Sequence, residues 1–131
     1  MKSYRLVIAH ENEMLYRSIR RMLGQLPGTV IVGHTMHLSQ LPELIKTETP
    51  DGVVVGFFSS NHCAGRIIDT LRQMSPELKI VVLFNDATEM DAAFQAGADA
   101  YLLHQDLNIE LFSAIKITQS GTRYISSQIQ S

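Results

Sequence analysis

Short apolar runs alternate along this chain with longer stretches whose apolar residues recur at helical spacing. The first run is Leu6-Val7-Ile8-Ala9, followed by Asn12 and then Leu15, Ile19, Met22 and Leu23. Those four sit at i, i+4, i+7 and i+8, so the spacing predicts a helix that Asn12 can cap. Gly24 and Pro27-Gly28 end it. Val30-Ile31-Val32 predicts a second strand, and Leu38, Leu41, Leu44 and Ile45 a second helix, with Pro42 tolerated only in its first turn. Val53-Val54-Val55 is the third strand. Ile67, Ile68, Leu71 and Met74 mark the third helix, stopped by Ser75-Pro76. Ile80-Val81-Val82-Leu83, the short helix of Met90, Ala93 and Phe94 closed by Gly97, Ala100-Tyr101-Leu102-Leu103, and a last helix on Leu111, Ala114, Ile115 and Thr118 complete the pattern. Gly121 closes that helix and a polar tail follows.

The result is five βα units. The strands read as continuous β-branched runs rather than alternating ones, which is the signature of a parallel sheet covered on both faces. Right-handed crossovers wind such a chain into an α/β doubly wound, five-stranded parallel sheet. Ligands of these sheets lie beyond the carboxyl ends of the strands. Chemistry is therefore expected at His10-Glu11, His34, Gly56, Phe84-Asn85 and His104.

Composition narrows the function classes. A chain of 131 residues, 45% hydrophobic and 18% charged, suits a single domain that needs no disulfide or metal to fold. A net charge of −2 offers no basic stripe for nucleic acid, and Arg17, Arg20 and Arg21 read as a solvated helix face. Cys63 is the sole cysteine, so no internal disulfide forms, in keeping with a reducing cytoplasm. The apolar run near Met1 is too short for a signal peptide or a membrane span, so no membrane partner is expected.

Three stretches carry a resemblance: "AGADAYLLH" (96–104), "GTRYIS" (121–126) and "TPDGVVVGF" (49–57). With them the chain resembles the receiver domain of bacterial response regulators of the NarL/FixJ (LuxR-type) branch, whose fold is flavodoxin-like (βα)5. The resemblance implies a receiver-like domain over 1–121 and, from 122 to 131, the start of a linker towards a helix-turn-helix DNA-binding domain beyond these residues. It also implies which positions should carry phosphotransfer, and there the chain departs from the pattern. The paired acids that hold Mg²⁺ fall at His10 and Glu11, the phosphoaccepting aspartate at Gly56, the Thr or Ser at Phe84, and the lysine at His104. Tyr101 keeps the family's switch aromatic, and the stretch between Phe84 and Gly97 is slightly shorter than usual.

Phosphotransfer requires a carboxylate nucleophile and a divalent cation to neutralise the phosphoryl oxygens. Gly56 has no side chain, Glu11 alone is a weak site for a hard cation, and Phe84 sets a large ring where a hydroxyl belongs. Asp51 stands at the other end of the third strand, more than roughly ten ångströms away at about 3.3 Å per residue. Ser59 and Ser60 have neither a base nor a phosphate cradle. Phe57-Phe58 and Phe84 read as packing residues, with Phe84 filling the phosphate's room and fixing Tyr101 in one rotamer.

The expectation is a degenerate receiver: no catalytic residues, no cofactor, not an enzyme. It would be a cytoplasmic, phosphorylation-independent input and dimerisation module of a LuxR-type transcriptional regulator. Its partners would be a second copy meeting the first and last helices, with Arg17, Arg20, Arg21 and Glu110 as rim charges, and a protein or small ligand; DNA would be reached only through the further domain. The alternative is a metal or pH sensor built from His10, His34, His37, His62, His104 and Cys63 at the carboxyl face, with His10, Glu11 and His104 the best trio.

Overall fold

Each apolar run becomes a strand in the computed structural model of the chain, which describes residues 3–57 and 64–126. The strands are β1 (Tyr4–His10), β2 (Thr29–Thr35), β3 (Gly52–Gly56), β4 (Lys79–Phe84), β5 (Ala100–Leu103) and β6 (Tyr124–Ile125). The helices are α1 (Glu13–Gly24), α2 (Leu41–Glu48), α3 (Ala64–Met74), α4 (Met90–Ala96) and α5 (Leu107–Gln119). All strands run parallel in the order β2-β1-β3-β4-β5-β6. No helix among the described residues is long and apolar enough to cross a membrane.

Alternate residues of a strand face opposite sides of the sheet, and here both sides are dry. Val7, Val53, Val55, Ile80 and Val82 face α2, α3 and α4; Leu6, Ile8, Val54, Val81 and Leu83 face α1 and α5. The local signals act where the sequence put them. Asn12 accepts the Leu15 N–H and caps α1, Pro42 lies in the first turn of α2, and Gly97 ends α4 in the left-handed region at φ 117°.

The sixth strand was not expected. Tyr124 and Ile125 pair with Ala100 and Tyr101, so residues taken for the start of a linker extend the sheet by one edge strand. A two-residue strand is too short to show a hydrophobic period. Glu110 also differs from expectation: it is 6% exposed and its carboxylate takes the Tyr124 hydroxyl, so it is not a rim charge. Arg17, Arg20 and Arg21 are exposed as expected, Arg17 pairing with Glu13 of its own helix at 2.8 Å. Asp51, just before the third strand, is half-buried and accepts the Arg5 N–H at 2.8 Å.

One side chain ties the amino ends of the strands together. Arg72, near the end of α3, donates to the carbonyls of Pro76 at 2.8 Å, Leu78 at 2.7 Å and Gly97 at 2.6 Å, and to the Asp99 carboxylate at 3.0 Å. A Cβ on Gly97 would come within 2.9 Å of Arg72 Nε, so the glycine serves the approach as well as the turn. Arg72→Ala is expected to lower the unfolding free energy by about 2 kcal/mol, since hydrogen bonds to a charged partner are the stronger kind and four acceptors lose theirs together. Urea unfolding reads this as a lower midpoint at unchanged slope.

Candidate functional site

The register of the sheet builds the site. β1 and β3 end level, with His10 opposite Gly56, while Phe84 of β4 lies opposite Leu103, the residue before His104. His10 is fully buried. Its ring lies across Gly56: a Cβ there would overlap His10 Cδ2 and stand 2.5 Å from Nε2. Gly56 is not among the residues with positive φ, so no unusual backbone angle calls for glycine. Space alone does. The imidazole of His10 occupies the volume into which a side chain at 56 would project.

That ring is fixed at both nitrogens. His10 Nδ1 accepts the Asn12 N–H at 3.0 Å, which leaves the proton of the neutral ring on Nε2. Nε2 faces Nε2 of His104 at 2.9 Å, and the ring centroids are 5.0 Å apart, tilted by 54°. His104 Nδ1 in turn meets the Asn85 side-chain oxygen at 2.8 Å. An amide oxygen only accepts, so His104 carries its proton on Nδ1 and receives the one from His10. The donations run one way: Asn12 N–H to His10, His10 to His104, His104 to Asn85. A further proton would set two N–H groups against each other or against the Asn12 N–H. Both rings are held neutral. Burial, then the neighbouring His104, lowers the His10 pKa from 6.5 to about 4, and burial lowers His104 likewise to about 4.

Beside the imidazoles lies a stack of three rings. Phe57 and Phe84 are 4.9 Å apart at 14°, Phe84 and Tyr101 5.5 Å apart at 10°, and all three are buried. Offset stacking adds a modest gain to the apolar burial. The Tyr101 hydroxyl donates to the Asp86 carbonyl at 2.7 Å, and burial raises its pKa above the ordinary phenol value. Outside the stack, Phe94 meets Tyr101 at 6.3 Å and is capped by the Arg123 guanidinium 4.4 Å from its centroid. Tyr101 is therefore buried, stacked and hydrogen-bonded.

Of the positions singled out in the sequence, His10, Gly56 and His104 come together, with Phe84 and Tyr101 alongside. Glu11 does not join them. It is exposed and lines a separate groove of about 460 Å³ with His37, Leu38, Pro42 and Arg66. His34 is exposed against Tyr16 at a centroid distance of 5.2 Å, on the edge strand. Among the described residues no three His, Cys, Asp or Glu converge as metal ligands, so the trio His10, Glu11 and His104 does not form. Phe58, Ser59, Ser60, His62 and Cys63 lie outside the described residues. Asn85, noted only as a post-strand residue, and Asn12, noted only as a cap, each prove to bond one of the paired imidazoles. Position alone signals such a role weakly.

The fold is shared with response-regulator receiver domains among solved structures. No family model matches the chain. It is 23% identical over 126 residues to the nitrate/nitrite response regulator protein NarL of Escherichia coli K12, an alignment covering 95% of this chain and 58% of NarL. The chain thus spans 58% of the length of the curated relatives it matches. Among solved structures, a LuxR-family two-component response regulator from Aurantimonas sp. SI85-9A1 superposes with a TM-score of 0.89 at 22% identity, over 98% of this chain and 94% of that one. The isolated receiver domain of RcsB from Salmonella enterica serovar Typhimurium, in the presence of the phosphomimetic BeF3-, gives 0.83 at 17% identity, over 95% and 94%. Sequence relatives and structural neighbours together support a receiver domain of the NarL/LuxR type.

Proposed function

We propose that this chain is a receiver domain that works without phosphorylation, as the non-enzymatic input and dimerisation module of a LuxR-type transcriptional regulator in the cytoplasm, with DNA bound by a further domain. One observation carries the reading: the His10 imidazole stands in the space of the missing side chain at Gly56, so the acceptor is absent and its room is filled. The supporting chemistry points the same way. Mg²⁺ needs several oxygen ligands, and two neutral imidazoles facing each other are poor company for a hard cation or a phosphoryl group. Phe84, wedged between Phe57 and Tyr101, holds the switch aromatic inward. The domain then rests in one state, and its input is a partner or ligand rather than a phosphate.

Acetyl phosphate, or beryllofluoride with Mg²⁺, is expected to leave the amide spectrum of the chain unchanged around residues 10, 56, 84 and 104. Shifts confined to those positions, or an acid-labile acyl phosphate found by mass spectrometry, would overturn the reading. A second reading, a pH-responsive input, is favoured by the facing imidazoles alone, whose hydrogen bonds leave no place for a third N–H proton.

A further inference from the structure

A second group of buried polar side chains lies where the chain returns to the sheet edge, and the pocket chemistry makes no use of it. Asp106 and Glu110 are 3% and 6% exposed and stand one helical turn apart, Asp106 at the residue before α5 and Glu110 in its first turn. Between them sits Ser126, fully buried. Its hydroxyl bonds to Asp106 Oδ2 and lies 3.3 Å from Glu110 Oε2. The Tyr124 hydroxyl donates to Glu110 Oε1. The backbone joins the two-residue ladder of Tyr124 and Ile125 on Ala100 and Tyr101, flanked by Tyr124 N–H to Asp99 and Ser126 N–H to Tyr101, both at 2.9 Å. Tyr124 and Ile125 are each only half-buried.

So short a ladder with so little apolar cover gives β6 a weak hold of its own, and the hydroxyl–carboxylate contacts must supply much of its attachment. Burying carboxylates is costly unless their hydrogen bonds are kept, and a half-made polar cluster is worse than an open one. Such a fastening is shut or open, with little in between. It is also joined to the pocket. His104, Gln105 and Asp106 form a single 3-10 turn, so the turn that offers Nε2 of His104 to His10 also offers Asp106 to Ser126.

We infer that residues 122–126 form a releasable strap, clasped to α5 by Asp106 and Glu110 and kept shut by the His10–His104 contact acting through the turn between them. This rests on the pocket being a closed regulatory input and says where its state is sent: to the strand that ends the described fold. Release bares the edge of β5 and wets both carboxylates while the other five strands stay paired.

Hydrogen exchange of the 131-residue chain at neutral pH tests it. In the parent, the amides of Tyr124 and Ser126 should exchange by a local opening, faster than those of Val54 and Val82. Ser126→Ala, or Asp106→Asn should the first variant not fold, is expected to speed them at least about tenfold while β3 and β4 amides change far less. His104→Ala, or His104→Gln in its place, should do the same from the pocket side. Exchange of Tyr124 and Ser126 at the core's rate in the parent would overturn the strap. Acceleration by Ser126→Ala without any by the His104 variants would overturn the coupling, and the beryllofluoride experiment would still judge the pocket separately.

Discussion

Gly56→Asp, which on the receiver reading proposed above puts a carboxylate at the acceptor position, is expected to destabilise the chain by about 3 kcal/mol and to confer no measurable phosphoryl transfer. A Cβ at position 56 overlaps the His10 ring, and the ring cannot swing aside without giving up its bonds to Asn12 and His104. Overfilling a dry site costs roughly 1–3 kcal/mol, and a carboxylate set among apolar rings and neutral imidazoles adds its own desolvation. On the same reading, transfer is also expected to fail because Phe84 and His104 supply neither the hydroxyl nor the lysine that it calls for. The double variant His10→Ala with Gly56→Asp should recover much of the loss, a coupling in the range of about 1–3 kcal/mol expected of residues in direct contact. Urea midpoints of the parent, both single variants and the double one measure it. A single Gly56→Asp variant as stable as the parent would mean the ring is not held across the glycine; near-family rates of acetyl phosphate turnover would sink the account of the pocket.

The second large effect is on pH. His10 and His104 have pKa values lowered from 6.5 to about 4 in the fold. Between those values the unfolded chain binds protons that the folded chain refuses, so stability rises with pH in this window. The full contribution is present above about 6.5, drains away as pH falls towards 4, and changes no further below that. For fully buried His10 the loss is on the order of 3 kcal/mol, and for the partly exposed His104 it is smaller. Unfolding midpoints at pH 7 and pH 5 should therefore differ clearly in the parent, and much less in a His10→Gln, His104→Gln double variant. Equal midpoints in the parent would show that the folded rings accept protons freely.

How much of this was open to a reader of the sequence depended on whether the signal was local. Asn12, Pro42, Gly97 and the β-branched runs are local, since each acts within a few residues of itself, and each did what its chemistry dictates. That His10, Gly56, Phe84 and His104 gather at one edge was legible too, because a parallel sheet fixes which residues follow the strands. What the page of letters could not carry was the direction of a ring. That His10 lies over Gly56 and faces His104 rather than Glu11 depends on a rotamer chosen by contacts from three strands. Nor does anything in the spacing of Asp106, Glu110, Tyr124 and Ser126 announce a buried cluster, because its members meet only when residues 122–126 fold back on β5.

The overlap between the His10 ring and any side chain at position 56 also makes the two positions a single unit of substitution. A side chain can enter at 56 without a clash only once the ring at 10 has been cut back, and taking the two steps in the other order passes through the overlap. Any redesign of position 56 therefore begins at position 10.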